Sequence, residues 1–494
     1  MTLPVTLKLT PRRPRAALAA TDRTLARGRS AATAAVGEPS DQDPVFALEI
    51  LNIKPAGTGS PALPSTNRIF RAYPGIEYNI RVACIGGVYP YTYALSNAPS
   101  GMTIDSETGE IVWPDPQANA TDITVTVTDQ RNDDVSASWS ITVGTSGFLF
   151  VDASYSGTQT GSISQPYSSF ASMRSANGSN PTAIVYFRAG TYTMNAGGSL
   201  GSMPHNWLAY PGETATIDMD GQQGVWSEYG VWFDGMRFAN MVNSCVLFYG
   251  PRPYHTIRRC VYDGLVADTA VNNNQGMVTF LGSEGSNGYG NVIQDNEFMD
   301  VTGGNAIGSL YRMQKTLIEN NYIHDAGYPG LTGYAGGISP KDRCFDTTVR
   351  GNRVEMAGTD VAFGALLEAS GDIEICYNLF AANATTRTSY VIFGPLSRTI
   401  GAVVWRNTFV GAVDHAYDCA YDSGPFTYRH NVVVNPAASV EGNLSCVTDT
   451  DNTKATATTG LIDPANLHKL VAGQSGLVGQ RGWQLSDGRV PTEL

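Results

Sequence analysis

The sequence predicts an all-β chain: a right-handed parallel β-helix, preceded by a small β-sandwich and a basic, extended N-terminal arm. Three observations carry that prediction. A short pattern returns seven times between His255 and Asn435, alternating segments lie between Pro44 and Gly144, and the first 37 residues are rich in Ala, Thr and Arg. The implied divisions are an arm over 1–44, a sandwich over 45–146, the β-helix over 147–450 and a cap or tail over 451–494.

The repeat reads TIRRCVY around Cys260, VIQDNEF around Asn296, LIENNYI around Asn321, TVRGNRV around Asn352, EICYNLF around Asn378, VVWRNTF around Asn407 and TYRHNVV around Asn431. The anchors are 36, 25, 31, 26, 29 and 24 residues apart. A period in this range marks a solenoid. The unit is β-rich, because an apolar residue three before each anchor and a β-branched or aromatic one two after it flank a polar gap. Each Asn is expected at a tight bend, in the left-handed conformation that Asn tolerates. Stacked coils then place the amides in a hydrogen-bonded column, which begins at Asn296 because the first anchor is Cys260. Long loops belong in the wide spacings, between Cys260 and Asn296 and between Asn321 and Asn352.

The first 37 residues carry seven Lys and Arg residues against Asp22 alone, a net of +6, so the remainder of a chain of net charge −12 carries −18. So few large apolar side chains do not fold alone. The run AALAA at Ala16–Ala20 is too short for a secretory leader. The arm reads either as a segment that docks on a large acidic assembly or as a disordered leader.

In the next hundred residues YNIRVAC at Tyr78, DITVTVTD at Asp122 and SASWSITV at Ser136 alternate as sandwich strands do. The stretch PYTYALSNAPSGMTIDSETGEIVWP, Pro90 to Pro114, resembles the immunoglobulin-like, cadherin-related modules of bacterial and phage surface proteins. That resemblance implies a spacer or adhesive module without chemistry. Some relatives bind calcium through acidic linkers, which makes Asp129, Asn132, Asp133 and Asp134 the candidate calcium ligands, against their reading as a polar turn. No other cofactor is implied. The seven cysteines form no CxxC and no zinc spacing, and read as small interior residues from a reducing cytosol, with Cys376 in an outward column as the exception.

From Phe148 the motifs FLFVDASYSGTQTGS, AIVYFRAGTY at Ala183, WLAYPGETATID at Trp207 and GVWFDGMRF at Gly230 resemble the opening coils of pectate-lyase-like β-helix proteins. Such a fold does not fix a reaction, so chemistry must come from outward columns. One and three residues after the anchors, polar side chains concentrate at Glu297, Tyr322, His324, Arg353 and Glu355. His324 and Glu355 fall one coil apart, about 4.8 Å by strand spacing, and read either as a general acid–base pair on a glycan or as a surface ion pair. Glu319 and Arg350 read as an ordinary ladder salt bridge on the same face.

The loop HDAGYPGLTGYAGGISPKDR, His324 to Arg343, offers Tyr328 and Tyr334 for stacking on a sugar ring. Its end, GGISPKDRCFDTTVRGNRVE, resembles the segment that carries the catalytic Lys of the alginate lyase and chondroitinase B type of β-helix lyases, which implies Lys341 as the base. Glu368 and Ala369 stand where that family has an Arg, so the alternative reading of Lys341 is as the partner of Glu368 in a structural ion pair. Asp414, Asp418 and Asp422 are the alternative, a hydrolase's carboxylates.

No run of 18 apolar residues is present, so no membrane-spanning helix is expected. A body at −18 does not suit nucleic acid. The expected role is a bacteriophage virion surface protein of tailspike, fibre or capsid-decoration type. In that role the β-helix binds a host surface polysaccharide, cleaving it or not. The arm contacts other virion proteins, and the assembly is a homo-oligomer such as a trimer. The alternatives are a secreted, extracellular polysaccharide lyase or glycoside hydrolase, and a structural or adhesion protein without catalysis.

Overall fold

A computed structural model describes residues 45–494 except 60–61, 195–197, 200–205, 223, 227–229, 243–245, 250–252, 267–275, 283–287, 302–304, 327–334, 341–342, 357–361, 368–370, 383–387, 394–400, 412–425, 435–446, 456–459, 468, 479–480 and 494; several strands are described by their backbone alone. The calls on Lys341, Tyr328, Tyr334, Glu368, Ala369, the three Asp of 414–422 and the N-terminal arm therefore lie outside the described residues.

From Phe148 onward the chain winds into a parallel β-helix of three sheets, each coil adding one strand to each. The first sheet runs from Phe148–Val151 to Val447–Thr450 and the second from Gly190–Thr193 to Thr453–Ala455. The third runs from Gly198–Ser199 to Thr388–Phe393. The repeat sets the register. Ile293 pairs with Ile318 and Ile318 with Val349 in the first sheet, while Phe298 pairs with Ile323 and Ile323 with Val354 in the second. Both columns point inward and are fully buried. Their aromatic members stack as the 4.8 Å coil spacing allows, Phe238 on Tyr262 at 5.0 Å and Tyr262 on Phe298 at 4.9 Å. The helix Phe170–Asn177, capped by Ser169, lays Phe170 and Met173 over the first coils and closes that end of the core.

The Asn column forms as expected and starts at Asn296, whose Oδ1 accepts the Cys260 backbone N–H at 2.9 Å. Each Nδ2 then donates to the next Oδ1: Asn296 to Asn321, Asn321 to Asn352, Asn352 to Asn378 and Asn378 to Asn407 all at 2.9 Å. It continues through Asn431 to Asn452, one coil past the point where the sequence pattern fades. The bend itself differs from the expectation. The left-handed residue is the one before each Asn, at Asp295 (φ 59°), Asn320 (φ 54°), Tyr377 (φ 53°), Arg406 (φ 51°) and His430 (φ 55°). A left-handed residue turns the chain sharply between the first and second sheets, and the Asn that follows drops its amide beneath the turn to bond the coils on either side. Non-glycine residues in this conformation cost about 1 kcal/mol each, which the buried amide bonds offset.

The sandwich pairs a four-stranded sheet, Arg71–Ala72, Asp134–Val143, Ala120–Thr128 and Thr92–Ser96, with a three-stranded one, Tyr78–Arg81, Glu110–Trp113 and Thr103–Ile104. It is not a spacer. It lies along the outer face of the first sheet, and Leu51, Ala83 and Ile85 share a buried cluster with Val292 and Leu317 of that sheet. Phe148, Phe150 and Tyr186 pack on Ile76 and Tyr73 at one end, and Tyr377 packs on Tyr89 at 5.1 Å toward the other.

Two expectations change under this cover. Cys376 does face outward, but beneath the sandwich, where it is fully buried and burial pushes its thiol well above the ordinary range. Glu319 and Arg350 do pair, at 2.6 Å, yet they sit on the first sheet rather than beside His324 and are buried rather than solvated. The bend at each Asn separates them: residues before it belong to one sheet, residues after it to another. Arg350 donates further to Tyr91 Oη at 2.8 Å and to the Cys84 carbonyl at 3.0 Å, both in the sandwich. Cys84, Cys260, Cys344 and Cys376 are all buried.

The C-terminal tail folds back on the outer face of the second sheet. There the outward columns turn apolar, at Leu379, Ala381, Val410, Val432 and Val434, and Leu461, Ile462, Trp483 and Val490 cover them. Arg489 reaches on to the sandwich and forks onto Glu107 at 2.8 and 2.9 Å.

Candidate functional site

The covered half of the second sheet leaves a polar half. In sequence order its strands are Val261–Val266, Glu297–Val301, Tyr322–Ala326 and Arg353–Met356, and Glu297, Tyr322 and Arg353 stand in direct register. These residues point outward because Phe298, Ile323 and Val354 between them point into the core. The strip thus unites five of the residues expected from sequence: Glu297, Tyr322, His324, Arg353 and Glu355.

Their pairing differs from expectation. His324 does not meet Glu355. Its Nε2 lies 3.1 Å from Glu297 Oε1, on the coil before, and its Nδ1 2.7 Å from Asp325 Oδ2. A bulge lies beside it: between Ile323 and Ala326 the strand has one residue more than its partner between Val354 and Met356, next to the left-handed Asp325 (φ 51°). A bulge re-aims the side chains around it. Asp325 is thereby the site residue that sequence reasoning missed; its signal was the column Asn240, Gly264, Asp300 and Asp325 on successive coils, all left-handed and all of residue types that tolerate that conformation.

Glu355 is held from two sides. Oε1 accepts from Arg353 Nε at 2.8 Å, and Oε2 accepts from the Tyr322 hydroxyl at 3.0 Å. Burial, and then the Glu355 carboxylate, push the Tyr322 hydroxyl up to about 12. Tyr322 is therefore a proton donor at neutral pH and not a base. Its ring is also occupied: the Arg353 guanidinium lies 4.5 Å from its centroid and the His324 ring stacks on it at 4.3 Å. With two side chains already against this ring, contact with a ligand would come through the polar edges of the strip. His324 is 18% exposed, Arg353 and Glu355 27% each, and Glu297 39%, enough to bond an incoming hydroxyl.

Among the candidate calcium ligands, Asp129 is placed in a polar turn. Asp129 is buried, with Oδ2 accepting from Val88 N–H at 2.8 Å and Oδ1 from the N–H groups of Arg131 and Asp133 at 2.8 and 2.9 Å. It organises a turn, and its oxygens are committed to backbone donors. Among the described residues no three His, Cys, Asp or Glu side chains converge as metal ligands would, and no helix is long and apolar enough to cross a membrane.

No curated protein matches the chain. The family model described as Putative Ig domain matches residues 61–144, the stretch that folds into the immunoglobulin-like sandwich on the flank of the parallel β-helix.

Proposed function

We propose that this chain is a bacteriophage virion surface protein, of tailspike, fibre or capsid-decoration type, whose pectate-lyase-like β-helix binds a host surface polysaccharide through the Glu297–Tyr322–His324–Arg353–Glu355 strip. The observation that supports this reading is the division of the second sheet's outer face. Where its columns are apolar the tail covers them, and where they are polar and planar they stay partly exposed. Guanidinium, hydroxyl and imidazole donors beside carboxylate acceptors suit polyhydroxylated ligands, whose hydroxyls both donate and accept.

The strip favours binding without cleavage. Both oxygens of Glu355 are engaged, Tyr322 holds its proton, and the acid–base pairing of His324 with Glu355 does not form. The basic arm would attach the protein to other virion components, and self-association as a trimer would multiply a weak single-site affinity. Calorimetric titration of the full chain with capsular and lipopolysaccharide-derived oligosaccharides tests the reading. Saturable binding that Arg353→Ala weakens about tenfold or more, the worth of a charge-assisted hydrogen bond, is the expected result. Binding unaffected by that change would move the site elsewhere, and a fall in oligosaccharide length on incubation would replace binding by cleavage.

A further inference from the structure

The four-stranded sheet of the sandwich carries an incomplete ladder. Its strand Asp134–Val143 is paired along one side with Ala120–Thr128, while on the other side Arg71–Ala72 meets it only at Thr142 and Val143. The reason is local. The chain before Arg71 is the 3-10 helix Arg68–Phe70, and the Phe70 N–H bonds the Asn67 carbonyl at 3.2 Å instead of continuing the ladder.

The groups on that open side follow from the register. The Gly144 N–H donates to the Ala72 carbonyl at 3.0 Å, and at the hairpin end the Asp133 carbonyl accepts from the Asp129 N–H at 2.9 Å, on the side of Ala120–Thr128. Backbone groups of an extended strand alternate sides, so Ser138 and Ser140 turn their N–H and C=O groups toward the open side, where no described residue bonds them. The edge also lacks the usual protection against pairing, since the run from Val135 to Val143 holds no charged residue and no Pro.

Beside this edge lies a groove of about 500 Å³, with Pro55, Phe70 and Trp139 as its apolar lining and the exposed Asp122 at its rim. The Arg71 guanidinium is spent on the carbonyls of Thr182 and Ser146, at 3.2 and 2.7 Å. Asp122 is therefore the charge that an incoming ligand meets.

We infer that this groove takes an extended peptide segment of a partner protein, which pairs its backbone with Ser138 and Ser140, lays an apolar side chain on Phe70 and Trp139 and sets a Lys or Arg beside Asp122. Strand addition of this kind draws affinity from the main chain and selectivity from alternate side chains. Pro55 walls the far side of the groove, so a flexible segment reaches the edge, whereas a second folded sandwich, whose own edge is recessed alike, does not. This site is independent of the strip on the second sheet of the solenoid.

The test is fluorescence anisotropy of a labelled peptide, Thr-Val-Thr-Val-Lys, titrated with the full chain. Saturable binding is expected. A fully N-methylated peptide, which keeps every side chain but cannot donate to a strand, should not bind. Ser140→Pro, which removes a donor from the open side and none from the ladder with Ala120–Thr128, should weaken binding about tenfold, and Asp122→Asn about threefold. Absence of binding, equal binding of the N-methylated peptide, or indifference to both substitutions overturns the inference. A concentration-dependent dimer of the unliganded chain that Ser140→Pro dissolves would assign the edge to a second copy and overturn it as well.

Discussion

Asn352 shows how one residue type builds this fold. Its Oδ1 accepts both the backbone N–H and the Nδ2 of Asn321, and its Nδ2 donates onward to Asn378 Oδ1 and to the Ile318 carbonyl. Asn352→Ala removes the amide and strands partners in two coils where water cannot reach, a loss of about 3 kcal/mol. Asn452→Ala, at the partly exposed end of the column, should cost nearer about 1 kcal/mol. Urea unfolding of the two variants compares them, and equal costs would deny that the column acts by burial. Glu374 makes the opposite case. It is buried, bonded by Trp405 Nε1 at 3.0 Å and by Thr348 Oγ1 at 3.3 Å, and desolvation raises its carboxyl despite Arg350 nearby. A carboxyl raised in the folded state binds its proton more tightly there than when unfolded, so its contribution to stability falls as pH climbs from the unfolded value of 4.5 through the folded one. Glu374→Gln should therefore stabilise at pH 7 and converge on the parent below pH of about 4; a gain of equal size at both pH values would mean that charge is not the cause. The Asn column was legible because one side chain recurs at one place. The left-handed residue before it was not, because Asp, Asn, Gly, Tyr, Arg and His all occupy it, and no single residue type marks the position.

The C-terminal tail works at the scale of an element. Trp483 is fully buried against the second sheet, and its backbone N–H donates to Thr408 Oγ1 at 3.2 Å. Trp483→Ala should cost about 3–5 kcal/mol and bare Leu379, Val410 and Val432. Binding of an apolar dye to the folded variant, read by its fluorescence, checks the exposure; an unchanged signal would mean that the tail is ornamental. The apolar outward columns announced that a cover was needed, since an outer face of Leu, Ala and Val has no reason to meet water. They did not announce which segment supplies it. The bulge at Asp325 was illegible for a different reason. Column reading assumes equal strand lengths, and one residue is added beside His324, which meets Glu297 and not Glu355. The candidate strip could thus be located from sequence, while its pairing could not.

At the scale of the molecule, the sandwich and the β-helix share a buried, charged interface. Arg350 and Glu319 bridge coils beneath it, Arg258 reaches Asn79 at 2.8 Å, and Arg81 pairs with Asp295. The Tyr89 and Tyr91 rings lie 4.6 and 4.8 Å from the Arg350 guanidinium. The outward column of the first sheet hinted at this with Cys376 and Trp405, apolar positions where a solvated face would be polar. The partner that buries them was legible only as a separate module, because a sandwich sequence records its own core and not the face on which it rests. Cations and carboxylates so placed gain nothing when separated, since each would leave an unpaired group or a bare apolar sheet. The two parts should therefore unfold together. Scanning calorimetry of residues 45–494 should give one transition, and Arg350→Met, which leaves Glu319 buried with Arg81 at 3.8 Å as its remaining cation, should lower stability by about 3–5 kcal/mol while keeping that single transition. A second transition in the parent would mean that the sandwich only rests on the solenoid. Splitting in Arg350→Met alone would identify this residue as the link that couples them.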